Sequence, residues 1–458
     1  MTVPTRRSLA VLSLAALAVL SGCVSYERKP LDLDAVQEEF LARTPALPQP
    51  SGDAAFDLAD GLSAAEAEAI LLVFNRDLRI ARLEAGVARA NAENGGLWAD
   101  PTLGVDFTRI VGAASQGVEA IVSLGLTLPL SGRLELEKER LGAEHAAQLA
   151  RVAALEWSTA ATLRRAWVER AALAEETESA RGTLARLSEV RSVVDRMEAA
   201  GELARIESRL FRIEEAKLHA RVVELETELS AATRSIASLL DLPHTEGIAL
   251  LADLPQRAVP ADAGRETVLA HLADTSPTVA VARAEHESAE RRLEEEIRMQ
   301  WPDLAIGPGY GKDNGDRKWV LGVGLTLPVF NGNRAGIAAA DAARELARGR
   351  TEAELTRVLG AFAAAEERLA AASRRRALLE ESLLPLVAAQ YEETRAVARL
   401  GEVKTLVLLE SLKQELESTA QLISARRDEA LAAIELDLLV GPAPRAEGAE
   451  SISEGDLP

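Results

Sequence analysis

The chain is short of aromatic side chains, which make up 3% of its 458 residues. A compact globular core takes much of its buried area from Phe, Tyr and Trp, so this composition does not build a core of the usual kind. There is one cysteine, Cys23, which rules out an internal disulfide and a CxxC zinc site. The five histidines and three methionines are scattered. No pair has the spacing of a metal site on one helix face, and HExxH is absent. An excess of basic charge is missing too: 52 Lys+Arg stand against 72 Asp+Glu, a net charge of −20. That sign excludes the basic footprint a nucleic-acid binder needs. Beyond the N-terminus no apolar run is long enough for a transmembrane helix, so any spanning part must be a β-barrel. What is present is 48% hydrophobic, largely Ala and Leu, which is too apolar for disorder. Mixed with Glu and Arg, it is the composition of long helices packed side by side. The length alone would suggest about three ordinary domains.

The N-terminus reads as an export signal. Arg6 and Arg7 precede an apolar or small stretch from Leu9 to Leu20, too short to span a bilayer. It ends Leu20-Ser21-Gly22-Cys23, which resembles the bacterial lipoprotein processing box. The resemblance implies a signal peptide over 1–22, cleavage before Cys23 and lipidation of that residue. Val24 stands where an Asp would retain a lipoprotein at the inner membrane, which favours the outer membrane. Residues 23–60, with Pro30, Pro45, Pro48 and Pro50, read as an extended strap from the anchor.

The remainder is written twice. Gly125-Leu126-Thr127-Leu128-Pro129 recurs as Gly324-Leu325-Thr326-Leu327-Pro328, an offset of 199 (324 against 125). Pro101 and Leu103 recur as Pro302 and Leu304, Gly201-Glu202 as Gly401-Glu402, and Leu239, Leu240 and Pro243 as Leu438, Leu439 and Pro442. Matches in one order at one spacing mark a duplicated half-molecule. The first copy covers 61–240, an irregular equatorial segment 241–275, and the second copy 276–440; a Pro-, Glu- and Gly-rich tail, 441–458, is expected to be disordered. Each copy opens with a helical segment (62–97, 276–300). Two short alternating segments follow, then a very long helix (131–198, 333–398), a Gly-Glu break, and a last helix (202–240, 402–440). In 202–240 a seam of Leu218, Val222, Leu225, Leu229, Ala232, Ile236 and Leu239 steps by 4 and 3 as a coiled coil does.

The alternating segments carry the functional signal. Val118, Ala120, Val122, Leu124, Leu126 and Leu128 share one face, opposite Glu119, Ser123, Gly125 and Thr127, with Ile121 an exception. Trp319, Leu321, Val323, Leu325 and Leu327 oppose Lys318, Gly322, Gly324 and Thr326, with Val320 an exception. Leu103, Val105 and Phe107 do the same against Gly104 and Asp106, as do Leu304, Ile306 and Tyr310 against Asp303, Gly307 and Gly309. Apolar outside and polar or glycine inside is the pattern of a membrane β-barrel strand. Trp98, Trp301, Trp319, Tyr310 and Phe107 sit in or beside these strands, as interfacial belts do. Four strands cannot close a barrel that encloses anything, so several copies must pool them in a cyclic oligomer.

This arrangement resembles the TolC-like outer-membrane efflux proteins over nearly the whole mature chain. The family's strand-to-helix turn stands here as Pro328-Val329-Phe330-Asn331-Gly332-Asn333-Arg334, and in shorter form as Pro129-Leu130-Ser131-Gly132-Arg133. Pro ends the strand's ladder, and Asn331-Gly332 or Gly132 supplies turn chemistry before the helix. Tyr391, Gly401 and Glu402 fall at the family's helix–turn–helix tip, and Pro385 where the family kinks. Segment 303–337 looks most like the CzcC-like heavy-metal branch. The resemblance implies a fold that is mainly α with a small membrane β part: duplicated long coiled-coil helices forming an α-barrel, plus four strands given to a trimeric outer-membrane β-barrel. It implies a homotrimer set in outer-membrane lipid. It also implies two partners, a periplasmic adaptor and an inner-membrane resistance–nodulation–division transporter. Around the two tips, Gly201 and Gly401 are expected as turn residues, and Glu198, Glu202, Arg399 and Glu402 as charged candidates for the entrance and adaptor contact.

The expected function is an exit duct of a tripartite efflux system, with no cofactor, no resident metal and no enzyme activity. Heavy-metal cations are the expected cargo. A drug-efflux or type I secretion duct of the same fold, or a periplasmic coiled-coil scaffold lipoprotein, are the alternatives. Gly307-Pro308-Gly309-Tyr310-Gly311 has no following GK[ST], so it reads as a strand with small inward residues. Glu285-His286-Glu287 reads as a solvated helix face, since neighbouring residues on a helix do not converge on one ion.

Overall fold

A computed structural model describes residues 25–43, 61–109, 118–243, 249–251, 265–313, 316–399 and 405–442. Cys23, Gly401 and Glu402 lie outside them, as does the expected tail beyond Pro442. The chain divides into two compact units, Met1–Thr44 and Pro45–Pro458. The first carries helix α1 (Leu33–Ala42), started by the Asp32 carboxylate, which accepts from the Ala35 N–H at 3.0 Å.

The second unit is mainly α and is built from two like halves. The first half runs α2 (Ala64–Phe74), α3 (Arg76–Asn94), β1 (Thr102–Arg109), β2 (Val118–Leu128), α4 (Arg133–Ala199) and α5 (Arg205–Leu239). The second runs α6 (Arg265–Thr275), α7 (Pro277–Arg298), β3 (Leu304–Asp313), β4 (Asp316–Leu325), α8 (Arg334–Leu378), a π-helical turn (Leu379–Leu383), α9 (Leu384–Arg399) and α10 (Thr405–Val440). Helix α6 differs from expectation, because it lies in the segment read as irregular. It is the counterpart of α2, whose bounds recur 201 residues on (265 against 64). Its apolar residues are few, which hid its period in the sequence. The single helix expected over 62–97 is broken at Asn75. That side chain accepts from the N–H groups of Asp77 (3.0 Å) and Leu78 (3.1 Å) to start α3, while its amide donates to the Leu239 carbonyl at 3.0 Å. Ser63 starts α2 in a reciprocal capping box with Glu66.

At 1.5 Å per residue the 67 residues of α4 extend about 100 Å. Helix propensity does not hold such a rod straight; lateral packing does. Helix α4 is the hub: α3 and α7 lie along its sheet-proximal part, and α5 and α10 along the rest. Helix α8 packs between α7 and α10. The buried core is therefore strung out in clusters rather than gathered in one. Near the middle, Trp167 is fully buried among Leu62, Ile70, Leu71, Leu163, Ile236 and Leu240. Further along, Leu187, Val194, Phe211, Leu218, Leu225, Tyr391, Leu409 and Leu412 join α4, α5, α9 and α10. The seam expected on α5 is buried or half-buried throughout. Ion pairs also cross from helix to helix, such as Arg140–Glu295 (2.5 Å), Arg164–Glu68 (2.7 Å) and Arg151–Glu285 (2.5 Å).

The four strands form one antiparallel sheet in the order β1-β2-β3-β4. Its register unites the two halves: Val122 on β2 faces Tyr310 on β3. Pairing between β2 and β3 is interrupted where Pro308, which has no N–H, would meet Leu124.

Candidate functional site in the exposed sheet and the helix tips

The register turns the separate strand patterns into one surface. Val105, Val122, Tyr310 and Trp319 form a lateral row on one face. Leu103 and Leu124 share that face, as do Pro308 and Leu321, then Leu126, Ile306 and Val323, then Leu128, Leu304 and Leu325. The opposite face carries Gly104, Ser123, Gly307, Gly309, Gly311, Gly322 and Gly324 with Asp106, Glu119 and Lys318. The exceptions Ile121 and Val320 point to the glycine side, where Gly311 and Gly309 leave room for them. Among the described residues, no layer of the chain covers the apolar face. Trp319 is 82% exposed, Phe107 74%, and every residue of β4 is exposed. From Leu304 to Tyr310 the strand rises about 20 Å at 3.3 Å per residue, most of the height of a bilayer's apolar band, which is about 25 Å. Within the sheet, the two outer strands, β1 and β4, each have one partner.

Both strand-to-helix turns use a left-handed backbone. Gly132 (φ +71°) precedes α4, and Gly332 (φ +49°) and Asn333 (φ +51°) precede α8. Glycine reaches this region without cost and Asn more readily than most residues. The Asn333 amide donates to the Glu296 carbonyl (2.8 Å) and carboxylate (2.7 Å), tying the start of α8 to the end of α7. Its first-half counterpart is a different device: Arg133 reaches Asp303, at the foot of β3, at 2.9 Å. Pro129 and Pro328 stand just past the strands, and the Asn331 carbonyl accepts from the Arg334 N–H at 3.1 Å. Phe330, at the crest of the second turn, is 95% exposed.

At the far end of α4 the chain reverses through a Schellman motif. Glu202 N–H donates to the Met197 carbonyl (2.9 Å) and Gly201 N–H to that of Glu198 (3.0 Å), with Gly201 at φ +77°. Glu202 is exposed. Glu198 is not a free carboxylate. It accepts from Ser208, which is fully buried, and from Arg212 at 3.2 Å, and lies 3.8 Å from Arg205. Asp195 beside it takes Arg212 at 2.9 Å and Arg191 at 3.0 Å. The Arg212 hydrogen bond, foremost, holds the Asp195 carboxyl below its usual range. These residues clamp α4 to α5 behind the turn. A second set joins the two helix pairs. Arg186 lies 5.3 Å over the Tyr391 ring and 2.9 Å from Glu415, Thr394 meets Ser411 at 3.2 Å, and Thr405 donates to Glu207 at 3.4 Å. Arg399 ends α9; Gly401 and Glu402, expected to form the second tip, lie outside the described residues.

No protein-family model matches the chain. Over 144 residues it is 26% identical to the cobalt-zinc-cadmium resistance protein CzcC of Cupriavidus metallidurans. That match takes in 30% of this chain, and the chain spans about a third (33%) of the relative's length. Solved structures match far more of it. A membrane protein from Pseudomonas aeruginosa, 17% identical, superposes with a TM-score of 0.70 over 87% of this chain and 97% of its own. CusC, 16% identical, gives 0.68 over 92% and 100%. The outer membrane protein VceC of Vibrio cholerae, 15% identical, gives 0.67 over 83% and 96%. The fold is that of the TolC-like outer-membrane channels.

In TolC-like terms the exposed sheet is one chain's share of a barrel wall, and the long helices its share of a helical tube. Among the described residues no helix is long and apolar enough to cross a membrane. Sequence reasoning placed the sheet faces, Gly132, Gly332 and Gly201. It missed the clamp of Asp195, Ser208 and Arg212, although charges on both sides of a Gly-Glu break were a visible signal. It also missed a groove of about 360 Å³ among Leu187, Leu218, Leu225, Leu409 and Lys217, because α10, distant in sequence, closes it against α4 and α5.

Proposed function

We propose that the chain is the outer-membrane exit duct of a tripartite efflux system, extending through the periplasm. The observation that carries this reading is the uncovered apolar face of a four-stranded sheet with two open edges. Three copies pooling their strands close such a sheet and place the glycine-rich face on a lumen. The helices support the same assembly. In the second half α7 lies between α4 and α8, whereas its counterpart α3 packs along α4 with no comparable second neighbour among the described residues. The flank left open carries Ile80, Leu83 and Val87, all exposed, which a neighbouring copy's α8 would cover. Lipidation at Cys23 would add a second attachment to the outer membrane.

At the far end, the turns at Gly201-Glu202 and Gly401-Glu402 are the entrance and the contact for a periplasmic adaptor, which couples the duct to an inner-membrane resistance–nodulation–division transporter. Glu202 and Glu402 are the carboxylates offered to the passage. Glu198 is spent on the clamp and positions the turn. Heavy-metal cations are the cargo favoured, because the curated relative is named for cobalt, zinc and cadmium resistance and the resemblance over 303–337 points to the same branch. Deleting the gene and measuring growth with zinc, cobalt, cadmium, copper, silver and a drug panel tests this. Selective sensitivity to metals, restored by the gene, is expected. Sensitivity to drugs with metals unaffected would replace the metal cargo by a drug cargo in the same duct.

A further inference from the structure

The end of the sheet farthest from the helices separates its charges by face. The lateral row above Tyr310 and Trp319 reads Phe107, Ala120, Lys312 and Arg317 on the apolar face. Arg109, two residues beyond Phe107, keeps the same face. On the glycine face of the same region stand Asp106, Glu119 and Asp316, with Lys318 reaching Glu119 at 3.3 Å across the side-chain-free Gly311. So three basic groups point away from the lumen, while the face turned to it carries three acids against the one base Lys318. Arg109, Lys312 and Arg317 are all exposed, and none makes an ion pair with a described residue. Lys312 and Arg317 are directly opposite each other on adjacent strands. Like charges in that position repel and destabilise the pair. An anion from outside the chain, shared between them, would relieve that repulsion.

Depth identifies the anion. The basic row sits one step beyond the Tyr310–Trp319 pair, whose ring centroids are 4.9 Å apart. Below that pair only apolar residues follow on this face, down to Leu304 and Leu325. Aromatic side chains settle at the boundary between hydrocarbon and headgroups. The next step outward, about 7 Å further along the strand, is the headgroup layer, where phosphates are the anions present. Resting on the duct reading, we propose that Arg109, Lys312 and Arg317 bind the phosphate groups of outer-leaflet lipid headgroups. The collar would fix the barrel's depth and rotation, while the acids on the opposite face keep anions out of the mouth.

The test uses the full-length oligomer in detergent, with lipid retention counted by native mass spectrometry. The probes are bisphosphorylated lipid A, the same lipid dephosphorylated, and inorganic phosphate. The expected result is retention of the phosphorylated lipid only, weakened about fivefold by each of Arg109→Gln, Lys312→Gln and Arg317→Gln. The charge-keeping double variant Arg109→Lys with Lys312→Arg should retain the lipid, and so should Asp106→Asn on the other face. Equal retention of both lipids, unchanged binding by the triple Gln variant, or displacement of the lipid by inorganic phosphate would overturn the proposal. Conductance of the same samples in planar bilayers separates the two readings. A conducting oligomer without phosphate preference sinks the collar alone, whereas an assembled but non-conducting one sinks the duct.

Discussion

The two halves of the chain share one plan but differ in the long helix. In the first half α4 is unbroken for 67 residues. In the second the same stretch is divided into α8, a π-turn and α9. The cause is local. Pro385 has no N–H to offer the Glu381 carbonyl, and its ring crowds that carbonyl. The helix absorbs this by widening one turn, so that the Leu384 N–H bonds five residues back to Leu379. The first half has Ala185 at the corresponding place and needs no such adjustment. Around the π-turn, Glu380 takes Arg376 and Arg426, each at 2.6 Å, and Leu379 packs on Leu422 and Ala425. Duplication supplied the architecture, and a single residue then widened one turn in one half where the other stays regular.

That contrast can be broken from either side. The largest effect is expected at the first half's central anchor: Trp167→Ala empties the fully buried site among Leu62, Ile70, Leu163 and Ile236. It should cost about 3–5 kcal/mol, read as a drop in thermal midpoint. Next, Ala185→Pro would write the second half's break into α4. Ala185 is exposed, so the loss of about 3 kcal/mol would be a backbone effect. Pro385→Ala should do the reverse and return 379–383 to regular α-helix, seen as a lost i−5 hydrogen bond in a structure of the variant. Gly201→Ala would force a side chain into the left-handed region at the tip. With nothing within 4 Å of the added methyl, the cost is conformational, about 1 kcal/mol, measured by denaturant unfolding.

The smallest effect is electrostatic and differs between halves by location. Arg212 holds Asp195 below its ordinary value of 3.8 at the first tip, and Arg426 followed by Arg376 holds Glu380 below 4.5 at the π-turn. A lowered folded value means that the stabilisation is present above these ordinary values and is lost as pH falls through the lower folded ones. Amide protection factors at 195–212 and at 376–384, corrected for the intrinsic exchange rate, should therefore fall in strong acid and be flat near neutrality. A change between mildly acidic and neutral pH would contradict the assignment.

How much of this was legible in the sequence follows from range. The strand faces were readable because a period of two is local, and the register then merged four local patterns into one surface. The seam on α5 was readable for the same reason. Asn75 was hidden, because a residue that ends one helix and starts the next leaves the apolar pattern intact. Helix α6 was hidden because one buried residue, Leu272, is too weak a period to see. Glu198 read as a mouth carboxylate because its partners Ser208 and Arg212 come from beyond the turn, and the sequence does not say how the turn aims them.

The central claim is that the uncovered sheet is a wall segment of a membrane pore. The most direct measurement is single-channel recording of the purified full-length oligomer from outer-membrane fractions in planar bilayers. Stepwise conductance from an oligomer that stays assembled in detergent is the predicted result. A water-soluble monomer, or an oligomer that inserts without conducting, would contradict it.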